Sequence, residues 1–264
     1  MDEWQKAVMR EAFGDSSGSE EEEEAITEDE ARGGSGDRSK RLVPIWEAVV
    51  EIRGLWLCTD FLSPQQQSRL LSALRRGLVL FHISHSFDLK AVTDKSQLQK
   101  AMRFGNLPWW ATELCNSVRD AVVLAEEAAG ARLLPPDILW RQPLFDQLIA
   151  NVYQPGEGIC AHVDLMRFED GIAIVSLESS CVMHFSNVEH EEGREDAEED
   201  EERGKVGKVP VYLPPGSLVL LSGDARYSWK HEINRRPGFQ FWEGKELNQK
   251  QRTSITLRKL CPVD

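Results

Sequence analysis

Seven short β-rich runs follow one another between residues 148 and 258 with no helical pattern between them: "LIANVY", "GIAIVSL", "CVMHF", "VPVYL", "SLVLL", "YSWKHEI" and "TSITLR". Turn residues separate them. Parallel strands need long crossovers, usually helices, so this spacing argues against an α/β sheet and for antiparallel strands in a jelly-roll or barrel. The expected class is mostly β with flanking helices, an α+β arrangement on a distorted jelly-roll.

The helices come first. "GLWLCTDFL" reads as a strand-like entry, and Ser63-Pro64 supplies a helix cap and first turn. Leu70, Leu71 and Leu74 give that helix an apolar face. A second helix is signalled after Pro108, where Leu114, Val118, Ala121, Val122 and Ala125 form a stripe ending at Gly130. Residues 80–106 show no clean period.

The formal charge of −13 is confined to two stretches. Residues 1–40 hold thirteen acids against five bases, and 189–203 ten against two, leaving the rest of the chain near +3. A near-neutral folded part is compatible with a polyanionic partner. The boundaries expected are a disordered acidic tail over 1–40, a domain over 41–264, and an acidic surface insert at 189–203. Within the tail, Trp4, Val8 and Ala12, with Met9 and Phe13, recur at helical spacing. The alternative reading of residues 1–30 is a helix that docks a protein partner, beside serines suited to an acid-directed kinase.

Five cysteines, odd in number and without a Cys-X-X-Cys pair, indicate neither a disulfide framework nor a structural zinc site. No apolar run approaches the ~18 residues of a membrane span, and the N-terminus lacks a secretory signal. The expectation is no membrane and a place in the cytoplasm, the nucleus or both.

Chemistry concentrates in "NVYQPGEGICAHVDLMRFEDGI", residues 151–172. His162-X-Asp164 either closes a turn or grips a metal. The metal reading needs a third ligand from a distant strand, and His231 in "SWKHEI", sixty-seven residues after Asp164, stands at such a place. Two imidazoles and a carboxylate occupy one face of an octahedral metal and leave three positions open. His82, His85, His184 and His190 compete for the role. His184 alternates with apolar residues and reads as a sheet histidine, while His190 sits in the acidic insert.

In "QRTSITLRKL", Arg252, Ser254, Thr256 and Arg258 share one face of a period-two strand, with Ile255 and Leu257 on the other. Six residues of strand separate the two arginines by about 20 Å at Cα, so they serve opposite ends of a bound molecule rather than one carboxylate. Arginine forks suit carboxylates. The alternative is an exposed strand with both arginines in water.

Together, "NVYQPGEGICAHVD", "SGDARYSWKHEI" and "RTSITLRKL" resemble the AlkB-type branch of the Fe(II)/2-oxoglutarate dioxygenases, marked by Asn-X-Tyr-X-Pro-Gly, His-X-Asp, a distal His and Arg-X5-Arg. The resemblance covers 145–261, and the helical half from about residue 43 more loosely. "FEDGIAIVSL" and "SGDARYSWKHEI" are most similar to the branch that hydroxylates modified wobble uridine in tRNA. The resemblance implies a double-stranded β-helix, with His162, Asp164 and His231 ligating Fe(II). It implies that Asn151 and Tyr153 hydrogen-bond the co-substrate 2-oxoglutarate, that Arg252 pairs with its distal carboxylate, and that Arg258 lies toward its metal-binding end. The family couples decarboxylation of 2-oxoglutarate to hydroxylation of a C–H bond, and an N-methyl carbon so hydroxylated is lost as demethylation.

The expected function is hydroxylation or oxidative demethylation of a modified nucleic acid, RNA (tRNA) before DNA. Two departures bear on it. DNA-repair members carry a second acid two residues after the metal aspartate, where this chain has Met166, and neither the RNA-recognition module nor the methyltransferase domain of the animal tRNA branch is found. Residues 80–110 are where such folds place a substrate lid. There Lys90, Lys95, Lys100 and Arg103 mix with Phe87, Phe104, Trp109 and Trp110, which suits phosphates and a stacked base as well as it suits a half-buried segment. The alternatives are a protein side chain as substrate, and a non-enzymatic adaptor working through the N-terminal segment.

Overall fold

Alternation along the strands sorts their side chains into two cores, and this fixes the architecture. A computed structural model describes residues 44–85, 100–130, 132–188 and 207–262. All of them fall in one compact unit, Val43–Asp264. The tail at 1–40 and the insert at 189–203 lie outside the described residues.

The strands are β1 (Trp46–Ala48), β2 (Leu55–Cys58), β3 (Lys100–Phe104), β4 (Gln147–Tyr153), β5 (Ile159–His162), β6 (Ile172–Leu177), β7 (Cys181–Asn187), β8 (Val209–Leu213), β9 (Leu218–Leu221), β10 (Trp229–Ile233), β11 (Phe241–Trp242), β12 (Lys245–Glu246) and β13 (Arg252–Arg258). The helices are α1 (Pro64–His85), α2 (Trp109–Ala129), α3 (Pro136–Leu139) and α4 (Asp224–Tyr227). A seven-stranded sheet runs β1-β2-β9-β6-β13-β4-β3, a four-stranded sheet β5-β10-β7-β8, and β11 pairs with β12. Every pairing is antiparallel. This is the jelly-roll expected from seven β-rich runs without crossover helices.

In β6, Ile172 and Ile174 join the core between the two sheets, while Ala173, Val175 and Leu177 join the core beneath the helices. β9 repeats the division, with Val219 and Leu221 on the sheet side and Leu218 and Leu220 on the helix side. In β13, Ile255 and Leu257 face the helix-side core, so the opposite face carries Arg252, Ser254, Thr256 and Arg258 into the space between the sheets. A slip of one residue would bury the arginines under the helices, which apolar neighbours there forbid.

α1 opens with a reciprocal cap: the Gln66 N–H donates to Ser63 Oγ at 3.3 Å and the Ser63 N–H to Gln66 Oε1 at 2.9 Å. α2 runs from Trp109 and stops where Gly130 turns left-handed at φ 63°, a conformation glycine adopts without a Cβ clash. Its whole predicted stripe is buried. Leu70 and Leu74 of α1 are buried with it, and Leu71 is half-buried.

Several elements escaped the sequence reading: β1, the edge strand β3, β5, the β11–β12 hairpin and the short helices α3 and α4. β3 lies inside the segment read as a lid, and it pairs along β4 from Lys100↔Asn151 to Phe104↔Gln147. Lys90, Lys95 and Phe87 lie outside the described residues. Trp110 is buried in the helix-side core, so it is not a stacking platform for a base, and Trp109 borders a groove between α1 and α2 that is separate from the cavity described below. No helix among the described residues is long and apolar enough to cross a membrane.

Candidate metal centre

β5 and β10 are neighbours in the small sheet, and their register sets His162 opposite His231. The rings lie 4.3 Å apart between centroids at 52°. Asp164 follows β5 by two residues, and its Oδ2 is 3.8 Å from His231 Nε2. One ligand atom from each of His162, Asp164 and His231 lies within 4.8 Å of the others. Among the described residues this is the one group of three or more His, Cys, Asp or Glu side chains so placed. His184 sits in β7, opposite Glu232, outside the cavity, and the side chains of His82 and His85 are outside the described residues, as is His190.

The local chain explains the convergence. After Tyr153 the turn at Gly156 takes φ 85°. Gly158 then passes so close to β10 that a Cβ built on it would stand 1.9 Å from the Ile233 carbonyl oxygen. Only glycine lets β5 lie that near, beside the register shift between His231 and Ile233.

His162 Nδ1 is 2.8 Å from the Cys160 carbonyl oxygen, which accepts from the ring N–H and leaves the lone pair on Nε2. Burial draws His231 down to about 4, with the His162 ring adding to the effect and Asp164 opposing it. Its imidazole is therefore neutral at physiological pH, the state in which it donates a lone pair to a metal.

Asp164 is buried and paired with the Arg258 guanidinium. Arg258 also donates Nε–H to Gln147 Oε1 at 2.6 Å and lies 4.1 Å over the Phe168 ring. Burial pulls the Arg258 guanidinium below its ordinary range, and Asp164 counteracts that pull. The aspartate's backbone is held from beneath by Arg226, which is 1% exposed. Arg226 donates to the carbonyl oxygens of Asp164 at 2.9 Å, Leu165 at 2.8 Å and Phe168 at 3.1 Å. Nothing in the sequence pattern singled out Arg226, because a buried arginine serving carbonyls leaves no periodic or motif signal. Glu169 pairs with Arg141, and Asp170 accepts the Gly223 N–H.

His162, Asp164, His231, Asn151, Tyr153, Arg252 and Arg258 all line one cavity of about 260 Å³. Arg252 and Arg258 reach it from opposite ends of one strand face, as their spacing required. Arg252, 1% exposed, donates Nε–H to Ser176 Oγ at 3.0 Å and lies 5.6 Å over the Tyr153 ring. One of its terminal nitrogens is buried with no hydrogen-bond partner. A buried, unpartnered guanidinium N–H costs about 1–3 kcal/mol until an acceptor arrives, so the hydrogen-bonding capacity of Arg252 is not fully used. Sequence reasoning missed Met102, Leu165, Arg167 and Phe168, which also line the cavity.

The family described as the 2OG-Fe(II) oxygenase superfamily matches residues 54–258, which includes every strand bordering the cavity. The Alkylated DNA repair protein ALKBH8 homolog of Arabidopsis thaliana is 27% identical over 225 residues, 83% of this chain and 61% of that protein. The tRNA (carboxymethyluridine(34)-5-O)-methyltransferase alkbh8 of Xenopus tropicalis is 28% identical over 232 residues, 78% of this chain and 32% of that protein. The chain thus spans less than two thirds of the length of either relative. A solved structure of OsALKBH1 shares 16% identity at a TM-score of 0.49, covering 78% of this chain and 98% of that one. The match along 54–258 takes in both sheets except β1, together with the cavity between them, and the chain belongs to the 2OG-Fe(II) oxygenase superfamily, whose members are Fe(II)- and 2-oxoglutarate-dependent dioxygenases.

Proposed function

We propose that this chain is an Fe(II)- and 2-oxoglutarate-dependent oxygenase that hydroxylates or oxidatively demethylates a modified nucleic acid, RNA (tRNA) before DNA. The observation that carries the reading is the meeting of His162, Asp164 and His231 within 4.8 Å in a cavity that Arg252 and Arg258 also line. Two imidazoles and one carboxylate suit Fe(II) and leave positions open on it.

His162, Asp164 and His231 would hold the iron. Arg252 would pair with the distal carboxylate of 2-oxoglutarate, its free N–H meeting one oxygen. Asn151 and Tyr153 would hydrogen-bond the same molecule, and Arg258 would lie toward its metal-binding end while neutralising Asp164. When bound, iron and 2-oxoglutarate together supply oxidation of a C–H bond with release of succinate and CO2. The chain's own part is orientation and exclusion of water: Ile159, Ile174 and Met183 wall the cavity with apolar surface, and the arginines fix both ends of the co-substrate.

The nucleic-acid reading is supported by the relatives, one named as a DNA repair protein homolog and one as a tRNA methyltransferase, and by the near-neutral charge of the chain outside its two acidic stretches. The test is succinate release by purified protein with Fe(II), 2-oxoglutarate and ascorbate, with and without total tRNA, beside Asp164→Ala. Stimulation by tRNA that vanishes in the variant is expected. Turnover lost in the variant but indifferent to tRNA would move the substrate to protein or DNA, and no turnover despite bound iron would favour a non-enzymatic adaptor.

A further inference from the structure

Four arginines cluster around the cavity, and three of them are committed. Arg258 pairs with Asp164 and Gln147, Arg226 serves three carbonyl oxygens, and Arg252 donates to Ser176. Arg167 is different. It lines the cavity and is exposed, its guanidinium lies 5.2 Å from the Phe168 ring centroid and 6.0 Å from that of Phe104, and its charge repels that of Arg258.

These rings orient the guanidinium without using its N–H donors. A cation over a ring face keeps its in-plane donors available for an oxyanion. Competing acids nearby are occupied, since Glu169 pairs with Arg141 and Asp170 accepts backbone N–H groups at Gly171 and Gly223. Exposed apolar side chains stand beside Arg167: Leu165, which lines the cavity, is 59% exposed, its chain neighbour Met166 66% and Phe104 47%. One oriented cation in an apolar rim fits a flat ring that carries, or neighbours, a negative charge.

We propose that Arg167 is a specificity-determining residue that binds an oxyanion of the nucleic-acid substrate beside the oxidised carbon, with Leu165, Met166 and Phe104 as the apolar rim around an unpaired base. This rests on the RNA reading above. The oxyanion is either a backbone phosphate flanking the base or a carboxylate substituent on it. Both present paired acceptors to the same fork.

The test uses the full chain loaded with 2-oxoglutarate and Mn(II) in place of Fe(II), and RNA stem-loops carrying 5-carboxymethyluridine or its neutral carbamoylmethyl isostere at an unpaired loop position. Binding is read by fluorescence anisotropy across a salt series for wild type, Arg167→Ala and Arg167→Lys. A carboxylate ligand predicts that wild type prefers the carboxymethyl RNA and that Arg167→Ala loses about tenfold in affinity for it alone. A phosphate ligand predicts equal loss for both RNAs and a salt slope shallower by about 0.7, which Arg167→Lys largely restores. Unchanged affinity and slope in Arg167→Ala, with wild type binding normally, would overturn the inference. Failure of wild type to bind either RNA would instead overturn the RNA reading on which it rests.

Discussion

His162 and His231 are register partners on β5 and β10, so the two imidazoles are set 4.3 Å apart by the strand pairing itself. Neither needs a long, entropically costly reach to find the other, and Asp164 joins them two residues beyond. A site held by sheet register is preorganised before any metal arrives.

This separates metal affinity from stability. His162 is half-buried and its ring makes one hydrogen bond, to a carbonyl two residues away, so His162→Ala should leave the melting temperature nearly unchanged while weakening Fe(II) or Co(II) binding by two orders of magnitude or more. Asp164→Ala should do both. Its loss leaves Arg258 buried without a counter-charge, at about 3–5 kcal/mol. Thermal unfolding and isothermal titration of both variants check the contrast, and equal melting temperatures would refute it.

Arg252 carries the second prediction. Arg252→Met removes the buried unpartnered N–H with its charge, so the fold is relieved of one cost while the co-substrate loses a charge-assisted pair worth about 1.5–3 kcal/mol. The KM for 2-oxoglutarate should rise by about tenfold to a hundredfold with Fe(II) affinity unchanged. Steady-state succinate assays over a 2-oxoglutarate series measure it.

Gly158 makes the site's geometry testable without touching a ligand. A Cβ at this position meets the Ile233 carbonyl at 1.9 Å, a backbone atom that cannot rotate away. Gly158→Ala should push β5 from β10, cost at least about 1–3 kcal/mol, and weaken metal binding by spoiling the His162–His231 register. A variant with wild-type metal affinity and stability would show that the strand pair adapts.

The thiols supply a pH-based prediction. Burial pushes Cys58 and Cys115 up to about 12, and it raises Cys181, which is fully buried, so all three remain neutral thiols through pH 9. A thiol must ionise to react. Iodoacetamide at pH 8.5 should therefore label exposed Cys160 first and leave those three unmodified until denaturant is added, as peptide mass spectrometry will read.

The legible parts of the molecule are those where a period and a burial boundary coincide. β13 could be read because Ile255 and Leu257 alternate with Arg252, Ser254, Thr256 and Arg258, and the two faces meet different environments. α2 could be read because its stripe ends at a left-handed glycine. β3 could not: Lys100–Phe104 is an edge strand pairing on one side only, and its sequence KAMRF carries no alternation. The metal triad was legible as two fragments whose meeting depends on the β5–β10 register, which local sequence does not encode. Arg226 and Arg167 were illegible for another reason, since their roles rest on carbonyls and ring faces brought near by tertiary folding.

Arg226 shows what such a residue does. It touches no ligand side chain, yet its two terminal nitrogens hold the carbonyls of Asp164, Leu165 and Phe168, the loop that leads from one metal ligand to the ring beneath Arg258. Arg226→Met keeps much of the volume and strands those carbonyls, two of them in buried bonds, at about 1–3 kcal/mol each. Stability should fall by about 3–5 kcal/mol, and Asp164 should lose its fixed approach to His231. If Arg226 merely fills space, Arg226→Met and Arg226→Lys should bind Co(II) with wild-type affinity and an unaltered d–d spectrum. If it positions the aspartate, both should shift that spectrum, with Lys, which retains donors, the milder of the two.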